Sequence, residues 1–157
     1  MDRVKICKTK ANLDSIKKTD TELVILKRSL ATDFQNWIDH TDSEYLPNFR
    51  ILVNLSDLRQ ALEFQLENSG LKSENMRKQL EDDICSFVIM FADITQSKTV
   101  DVRLQRIRNN ACWRFHRDVV ETRLLTTYRG PSTEWVQNRH AEQALVEQLE
   151  YRGPIEQ

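Results

Sequence analysis

The sequence of 157 residues contains only three cysteines and three glycines. The cysteines, Cys7, Cys85 and Cys112, are odd in number and widely separated, so they form neither a disulfide framework nor a Cys-x-x-Cys zinc site. We therefore expect reduced thiols and a cytoplasmic protein. The sequence also lacks a Gly-rich phosphate loop, a Gly-x-Ser-x-Gly elbow and a His-Glu-x-x-His motif. These absences remove the usual signatures of nucleotide, serine-hydrolase and metalloprotease sites.

Long apolar runs and a large net charge are absent too. No stretch approaches the ~18 apolar residues of a membrane span, and the charged residues at the start of the chain do not resemble a signal peptide. The formal net charge is −1, which gives no overall attraction to nucleic acid or to anionic membranes. We therefore expect neither a nucleic-acid partner nor a membrane partner.

The pattern of apolar residues divides the chain. Residues 1–20 lack periodicity, and we interpret them as a mobile N-terminal arm. Residues 21–157 are predicted to form a single α+β domain. Within this domain, helical spacing over about 29–96 predicts a helical half, and β-branched residues over about 99–136 predict a strand-rich half, including strands at 119–128 and 133–136.

The longest predicted helix, Ser73–Thr95, carries an apolar stripe at steps of three and four residues. We expect this stripe to be buried against the sheet; its members are Leu80, Ile84, Phe87, Val88 and Phe91. Glu81 and Asp82 lie off the stripe, so we expect both to stay exposed. Shorter helices are predicted at 32–40 and 56–68, and a further helical pattern follows Asn138.

His116 and Asp118 are the residues most indicative of chemistry. Their two-residue spacing places both side chains on one face of an extended strand. One imidazole and one carboxylate supply two of the three ligands in the 2-His-1-carboxylate site of non-haem iron enzymes. The candidate cofactor is therefore a divalent metal, iron or zinc. The alternative is that the pair only hydrogen-bonds at a strand edge, because His-x-Asp is a short motif that also occurs by chance.

A third ligand is harder to place. Cys112 lies four residues before His116, a spacing that joins two ligands on a helix. Because the neighbouring pattern is strand-like, a buried and inert thiol is the alternative for Cys112. His40 and His140 each offer a second imidazole, but their polar surroundings beside helical patterns indicate surface positions.

The segment from Lys98 to Arg129 is locally basic, with eight Lys or Arg and three acidic residues. Seven of the eight are arginine, the side chain that grips planar carboxylates and phosphates through two hydrogen bonds. Arg123 and Arg129 share a face of the predicted strand, and we keep them as candidates for binding a small anionic ligand. The alternative is that most of these arginines pair with the acidic residues 81–83 of the helical half.

At these residues the sequence resembles a bacterial family, the domain of unknown function 1826 family. The resemblance lies in three motifs: Cys112-x-x-Phe115-His116-x-Asp118, Arg123-Leu124-Leu125-x-Thr127-Tyr128 and Gly130-Pro131-x-Thr133-x-Trp135. It implies a link to zinc supply, because genes of the family lie near metal-homeostasis genes. The family pattern continues through further strands to a second histidine in a His-Arg-Ser-Pro setting, which this sequence lacks. We therefore expect a C-terminally shortened member without the third ligand.

We predict an α+β fold in which an N-terminal helical layer packs on a small, mainly antiparallel sheet. The sheet is alternatively the first part of an incomplete cupin-like, double-stranded-helix barrel.

Three functions remain open. The first is a non-haem iron oxygenase-like enzyme with His116 and Asp118 as ligands and Arg123 or Arg129 for an anionic co-substrate. The second is a zinc-homeostasis accessory protein that binds metal through Cys112, His116 and Asp118 without catalysis. The third is an inert, shortened family member. We expect the isolated chain to bind divalent metal weakly or not at all and not to turn over 2-oxo acids. We also expect self-association through an open sheet edge.

Overall fold

The computed structural model describes residues 3–109 and 113–157. The chain divides into two compact units, the first drawn from residues 1–29 and 110–157 and the second formed by Leu30–Asn109. The domain predicted over residues 21–157 is thus distributed over both units. The fold is α+β, as the sequence predicts, with helices and two small sheets of two strands each among the described residues. No described helix has the length and apolar character needed to cross a membrane.

Strands and helices are interspersed along the described part of the chain. In order, the elements are β1 (Val4–Cys7), a 3-10 helix (Lys10–Lys17), β2 (Leu23–Leu26), α1 (Thr32–His40), β3 (Phe49–Asn54), α2 (Leu58–Glu67), α3 (Glu74–Thr95), β4 (Thr99–Leu104), α4 (Asn138–Glu147) and a second 3-10 helix (Gln148–Glu150). The helices predicted from apolar periodicity are confirmed to within about two residues at most ends, the usual uncertainty of helix boundaries.

The first unit begins with a parallel pair of strands. β1 and β2 pair in register from Val4 opposite Leu23 to Cys7 opposite Leu26. The 3-10 helix lies between them in sequence and packs on both, as a parallel pair requires a crossover connection. The residues that we predicted as a mobile arm therefore contain a strand and a helix.

The second unit is built on an antiparallel pair. β3 and β4 pair from Phe49 opposite Leu104 to Asn54 opposite Thr99. Side chains alternate across this sheet, with Val53, Val100 and Val102 buried and the intervening residues exposed. α2 packs on β3 and α3 packs on β4. Helices on one side of an antiparallel sheet are the layered arrangement that the sequence predicts.

The apolar stripe of α3 forms much of the core of the second unit. Leu80, Ile84, Phe87 and Val88 are buried as predicted, whereas Phe91 is only partly buried. Their partners in the core include Phe34 and Ile38 from α1 and Leu58, Leu62 and Leu66 from α2. Ser73 precedes the helix, and its hydroxyl accepts a hydrogen bond from the Met76 backbone N–H at 3.4 Å.

The prediction that Glu81 stays exposed is wrong. Its side chain is only 6% exposed, whereas that of Asp82 is 52% exposed as predicted. Arg59 of α2 reaches across to Glu81, with 2.7 Å between Nη1 and Oε1, and Lys78 lies one turn earlier at 3.1 Å. A buried carboxylate requires such partners. The prediction failed because the burial of Glu81 depends on a tertiary contact, with Arg59, which lies 22 residues away in sequence.

The strands predicted at 119–128 and 133–136 are not formed. Residues 119–128 are irregular, and within 133–136 only Trp135 forms an isolated bridge, to Glu156. Val119, Val120 and Leu125 all remain largely exposed. β-branched residues favour strands when one face of the strand can be buried against neighbours. Without such burial, composition alone does not produce a sheet in this segment.

The cupin-like barrel stays a prediction. The strands of the described residues form two separate pairs, one parallel and one antiparallel.

Candidate functional site

The residues that carry the sequence-based site lie in an irregular segment of the first unit. His116 and Asp118 are brought together, with 3.5 Å between the imidazole Nε2 and the carboxylate Oδ1. The predicted proximity is therefore present, although no strand produces it. The two side chains are 52% and 32% exposed, so solvent and ligands reach both.

The other ring nitrogen of His116 indicates the tautomer of the neutral ring. Nδ1 lies 2.9 Å from the backbone carbonyl oxygen of Arg114. A carbonyl oxygen only accepts hydrogen bonds, so Nδ1 carries the proton and donates it. In the neutral imidazole, Nε2 then presents a lone pair towards the Asp118 carboxylate.

Arg123 is the third member of this cluster. Its Nη1 lies 3.0 Å from Asp118 Oδ1, and its side chain is 47% exposed. The guanidinium restrains the carboxylate and neutralises part of its charge. Among residues 3–109 and 113–157, no group of three His, Cys, Asp or Glu side chains is placed to hold a metal ion.

Cys112 and Arg129 complete the set of predicted site residues. Cys112 lies outside the described residues. Arg129 is exposed and follows Tyr128, whose ring has the Arg28 guanidinium 5.3 Å from its centroid. The prediction that Arg123 and Arg129 share one strand face is wrong, because the intervening residues form no strand. Their role as anion-binding residues stays a prediction.

The end of the chain anchors the segment that carries His116, a feature that sequence reasoning missed. The Gln148 side-chain amide donates to the Phe115 carbonyl oxygen at 3.1 Å. The Phe115 ring packs edge-on against Tyr151, with 5.6 Å between ring centroids. Tyr151 is 4% exposed. The residue next to His116 is therefore fixed by contacts to residues more than 30 positions later.

The second Tyr-Arg-Gly-Pro sequence, residues 151–154, supports this anchor. The Tyr151 hydroxyl donates to the Pro154 carbonyl oxygen at 3.2 Å, so the ring folds over Gly153. A Cβ atom at Gly153 would overlap the Tyr151 ring, which explains why the position is glycine. In the first copy, Gly130 instead has a left-handed φ of 83° and open space around it. The same tetrapeptide therefore has two different structural roles. In the sequence, the repeat at 151–154 was the feature that could have drawn attention to this anchor.

These observations define an α+β protein with an accessible His–Asp–Arg cluster on an irregular but anchored segment. The chain belongs to the protein of unknown function (DUF1826) family, whose model matches residues 7–157. The match extends over nearly the whole chain and confirms the resemblance found in the sequence. Neither a curated protein nor a solved structure matches the chain.

Proposed function

We propose that this protein binds one exchangeable divalent metal ion, of the zinc type, through His116 Nε2 and Asp118, and serves as a metal-homeostasis accessory protein. The observation that carries the proposal is the 3.5 Å between Nε2 and Oδ1. Zinc bonds of about 2.1 Å at the tetrahedral angle place two ligand atoms about 3.4 Å apart. At the right angle of an octahedral site the same bonds place them about 3.0 Å apart. The separation thus fits two ligands of one tetrahedral zinc ion.

The ring orientation supports the same proposal. Metal-binding histidines usually donate the hydrogen of the other ring nitrogen to a carbonyl or carboxylate. The contact from His116 Nδ1 to the Arg114 carbonyl has this form and leaves Nε2 to face the ion. The Phe115 anchor restrains the same short segment.

Accessibility favours metal handling over oxygenase chemistry. Catalytic centres of this kind gain from excluding water, whereas His116 is 52% exposed. Arg123, the candidate for an anionic co-substrate, is instead engaged with Asp118. An accessible site with two protein ligands suits an ion that is received from and passed to other molecules. The remaining positions would be filled by water, by a donor or acceptor molecule, or by Cys112 as the sequence suggests.

Replacing His116 with Ala is expected to abolish measurable zinc binding, because the remaining carboxylate cannot offset the dehydration of the ion. Titration of the whole 157-residue chain with zinc chloride by calorimetry measures the effect. His40→Ala is the matched control, since His40 is an exposed imidazole on α1 and its loss should leave the affinity unchanged. Cys112→Ser in the same series tests the third ligand. Equal zinc affinity of the unaltered chain and His116→Ala would refute the proposal.

Replacing Arg123 with Gln is expected to strengthen zinc binding several-fold. The guanidinium bonds to the same oxygen, Asp118 Oδ1, that lies nearest His116, so its positive charge opposes a second cation there. Gln keeps a hydrogen-bond donor but removes the charge. The titration used for His116→Ala checks this, with Arg129→Gln as the control for the loss of an exposed arginine charge from the same segment of the sequence. Weaker binding in Arg123→Gln would show instead that Arg123 is needed to orient the carboxylate.

A further inference from the structure

Strand β4 has one edge that no described strand covers. It pairs with β3 on one side, and the sheet contains only these two strands among the described residues. An open edge offers unpaired N–H and C=O groups to another strand. The strand that fits this edge can be identified from its backbone and its charges.

The backbone pattern identifies the residues at this edge. The Leu55 N–H donates to the Lys98 carbonyl oxygen at 3.2 Å. Backbone groups in an antiparallel ladder alternate in direction from one residue to the next. Val100, Val102 and Leu104 therefore direct their backbone groups towards β3, as Lys98 does. Thr99, Asp101, Arg103 and Gln105 direct theirs to the open edge.

The side chains at the edge carry opposite charges two residues apart. Asp101 and Arg103 are exposed. Arg103 lies directly opposite Arg50 in β3, so two like charges face each other within the chain. Arg50 instead reaches diagonally to Asp101, with 2.6 Å between Nη2 and Oδ2. This hydrogen bond holds the pKa of Asp101 below its ordinary value, so the carboxylate is charged at neutral pH.

We propose that the open edge of β4 binds a second copy of this chain, antiparallel, around a two-fold axis at Val102. In this register Asp101 of each copy lies opposite Arg103 of the other, and both residues have their backbone groups directed at the partner strand. Val100 lies opposite Leu104 on the buried face. The two sheets join into one four-stranded sheet, β3–β4–β4–β3. This inference does not depend on metal binding.

Charge complementarity selects a second copy of β4 as the occupant. Each Arg103 gains a directly facing acidic residue, Asp101 of the other copy, whereas the residue that faces it within the chain is Arg50, and opposite charges at facing positions stabilise a strand pair. The open edge of β3 lacks this property, because its exposed side chains are Arg50, Leu52 and Asn54. Pairing β4 with itself also closes the assembly, whereas β4-to-β3 pairing would extend into a filament.

Charge reversal tests the register. Arg103→Asp alone places two acids opposite each other, and Asp101→Arg alone places two arginines opposite each other. Each is expected to weaken self-association at least about tenfold, measured by sedimentation velocity over a wide range of protein concentration. A mixture of the two variants restores opposite charges at both positions and should form a heterodimer. The control is Arg50→Gln, which removes the contact to Asp101 within the chain and leaves the edge intact.

Cross-linking provides a second readout that does not depend on charge. At a facing pair that is not hydrogen-bonded, the Cα atoms lie about 4.5 Å apart, within reach of a disulfide. Val102→Cys should therefore form a covalent dimer on mild oxidation. Val100→Cys is the matched control on the same buried face, because the two copies of position 100 lie several residues apart in this register. It should remain uncross-linked.

The possible results either support or overturn the proposed β4–β4 dimer. Concentration-dependent dimers that are lost in each charge variant, recovered on mixing and cross-linked through Val102→Cys support the proposal. An unaltered chain that stays monomeric at every concentration overturns it. So do dimers that persist in well-folded Arg103→Asp, or equal cross-linking of Val100→Cys and Val102→Cys. Circular dichroism of each variant establishes that it is folded.

Discussion

Replacing Phe87 with Ala is expected to lower the free energy of unfolding of the second unit by ~3–5 kcal/mol, the usual cost of removing a buried phenylalanine. Phe87 is 5% exposed and lies within the buried stripe of α3. Truncation removes most of its apolar surface and leaves a cavity whose walls relax only in part. Urea denaturation followed by circular dichroism measures the loss.

Phe64→Ala is the matched control. Phe64 also lies in a helix, α2, but its side chain is 63% exposed. Because little apolar surface is removed from the core, we expect a loss within about 1 kcal/mol. If both variants lost a similar amount of free energy of unfolding, the apolar stripe of α3 would not be the main part of the core.

The helices could be predicted because their signal is local. Leu80, Ile84 and Phe87 recur at steps of three and four residues, and a sequence with that period has one apolar face only as a helix. Ser73 marks the start of α3 by its side-chain chemistry, and its hydroxyl caps the Met76 N–H. Neither inference requires knowledge of what the helix packs against.

The strand-rich half could be predicted only in part, because β4 forms within it at Thr99–Leu104 but residues 119–128 form no strand. β3 and β4 are separated by more than 40 residues, and each is stabilised by the other. The segment around Val120 and Leu125 has similar composition but no partner strand among the described residues. Composition describes a residue's preference, whereas pairing depends on a distant part of the chain.

The candidate site combines a successful prediction with a missed contact. His116 and Asp118 were expected to be close because of a strand, and they are close on an irregular segment. A two-residue spacing can bring side chains together on many extended backbones. The Gln148 and Tyr151 anchors of Phe115 were missed because they depend on contacts across more than 30 residues.

Glu81 is the clearest example of a tertiary contact that overrides a local pattern. It lies in a run of three acids, which usually marks a solvated face, yet α2 covers it. Burial also raises the pKa of the Cys85 thiol one turn further along α3. Charges interact more strongly when they are buried, so removing a partner of Glu81 should change the free energy of unfolding measurably.

Replacing Arg59 with Met is expected to lower the free energy of unfolding of the second unit, because it leaves the buried Glu81 carboxylate with Lys78 as its remaining ion-pair partner. Removing one partner of a buried carboxylate leaves a charge that is only partly compensated. The 55% exposure of Arg59 and the presence of Lys78 limit the loss. Urea denaturation measures the free energy of unfolding, with Asp82→Asn as control. Asp82 bonds to the same guanidinium but is 52% exposed, so its loss should cost less than about 1 kcal/mol.

The double variant Arg59→Met with Glu81→Leu separates a buried-charge penalty from lost packing. Replacing both partners by apolar side chains removes the uncompensated charge, and such exchanges are often neutral or stabilising. We therefore expect the double variant to regain most of the stability lost in Arg59→Met alone. If it remained as unstable as the single variant, the cost would lie in the hydrocarbon contacts of the Arg59 side chain. If the double variant regained its stability, the loss in Arg59→Met would come from the unpaired Glu81 carboxylate. That result would also show that α2 and α3 pack together without the ion pair.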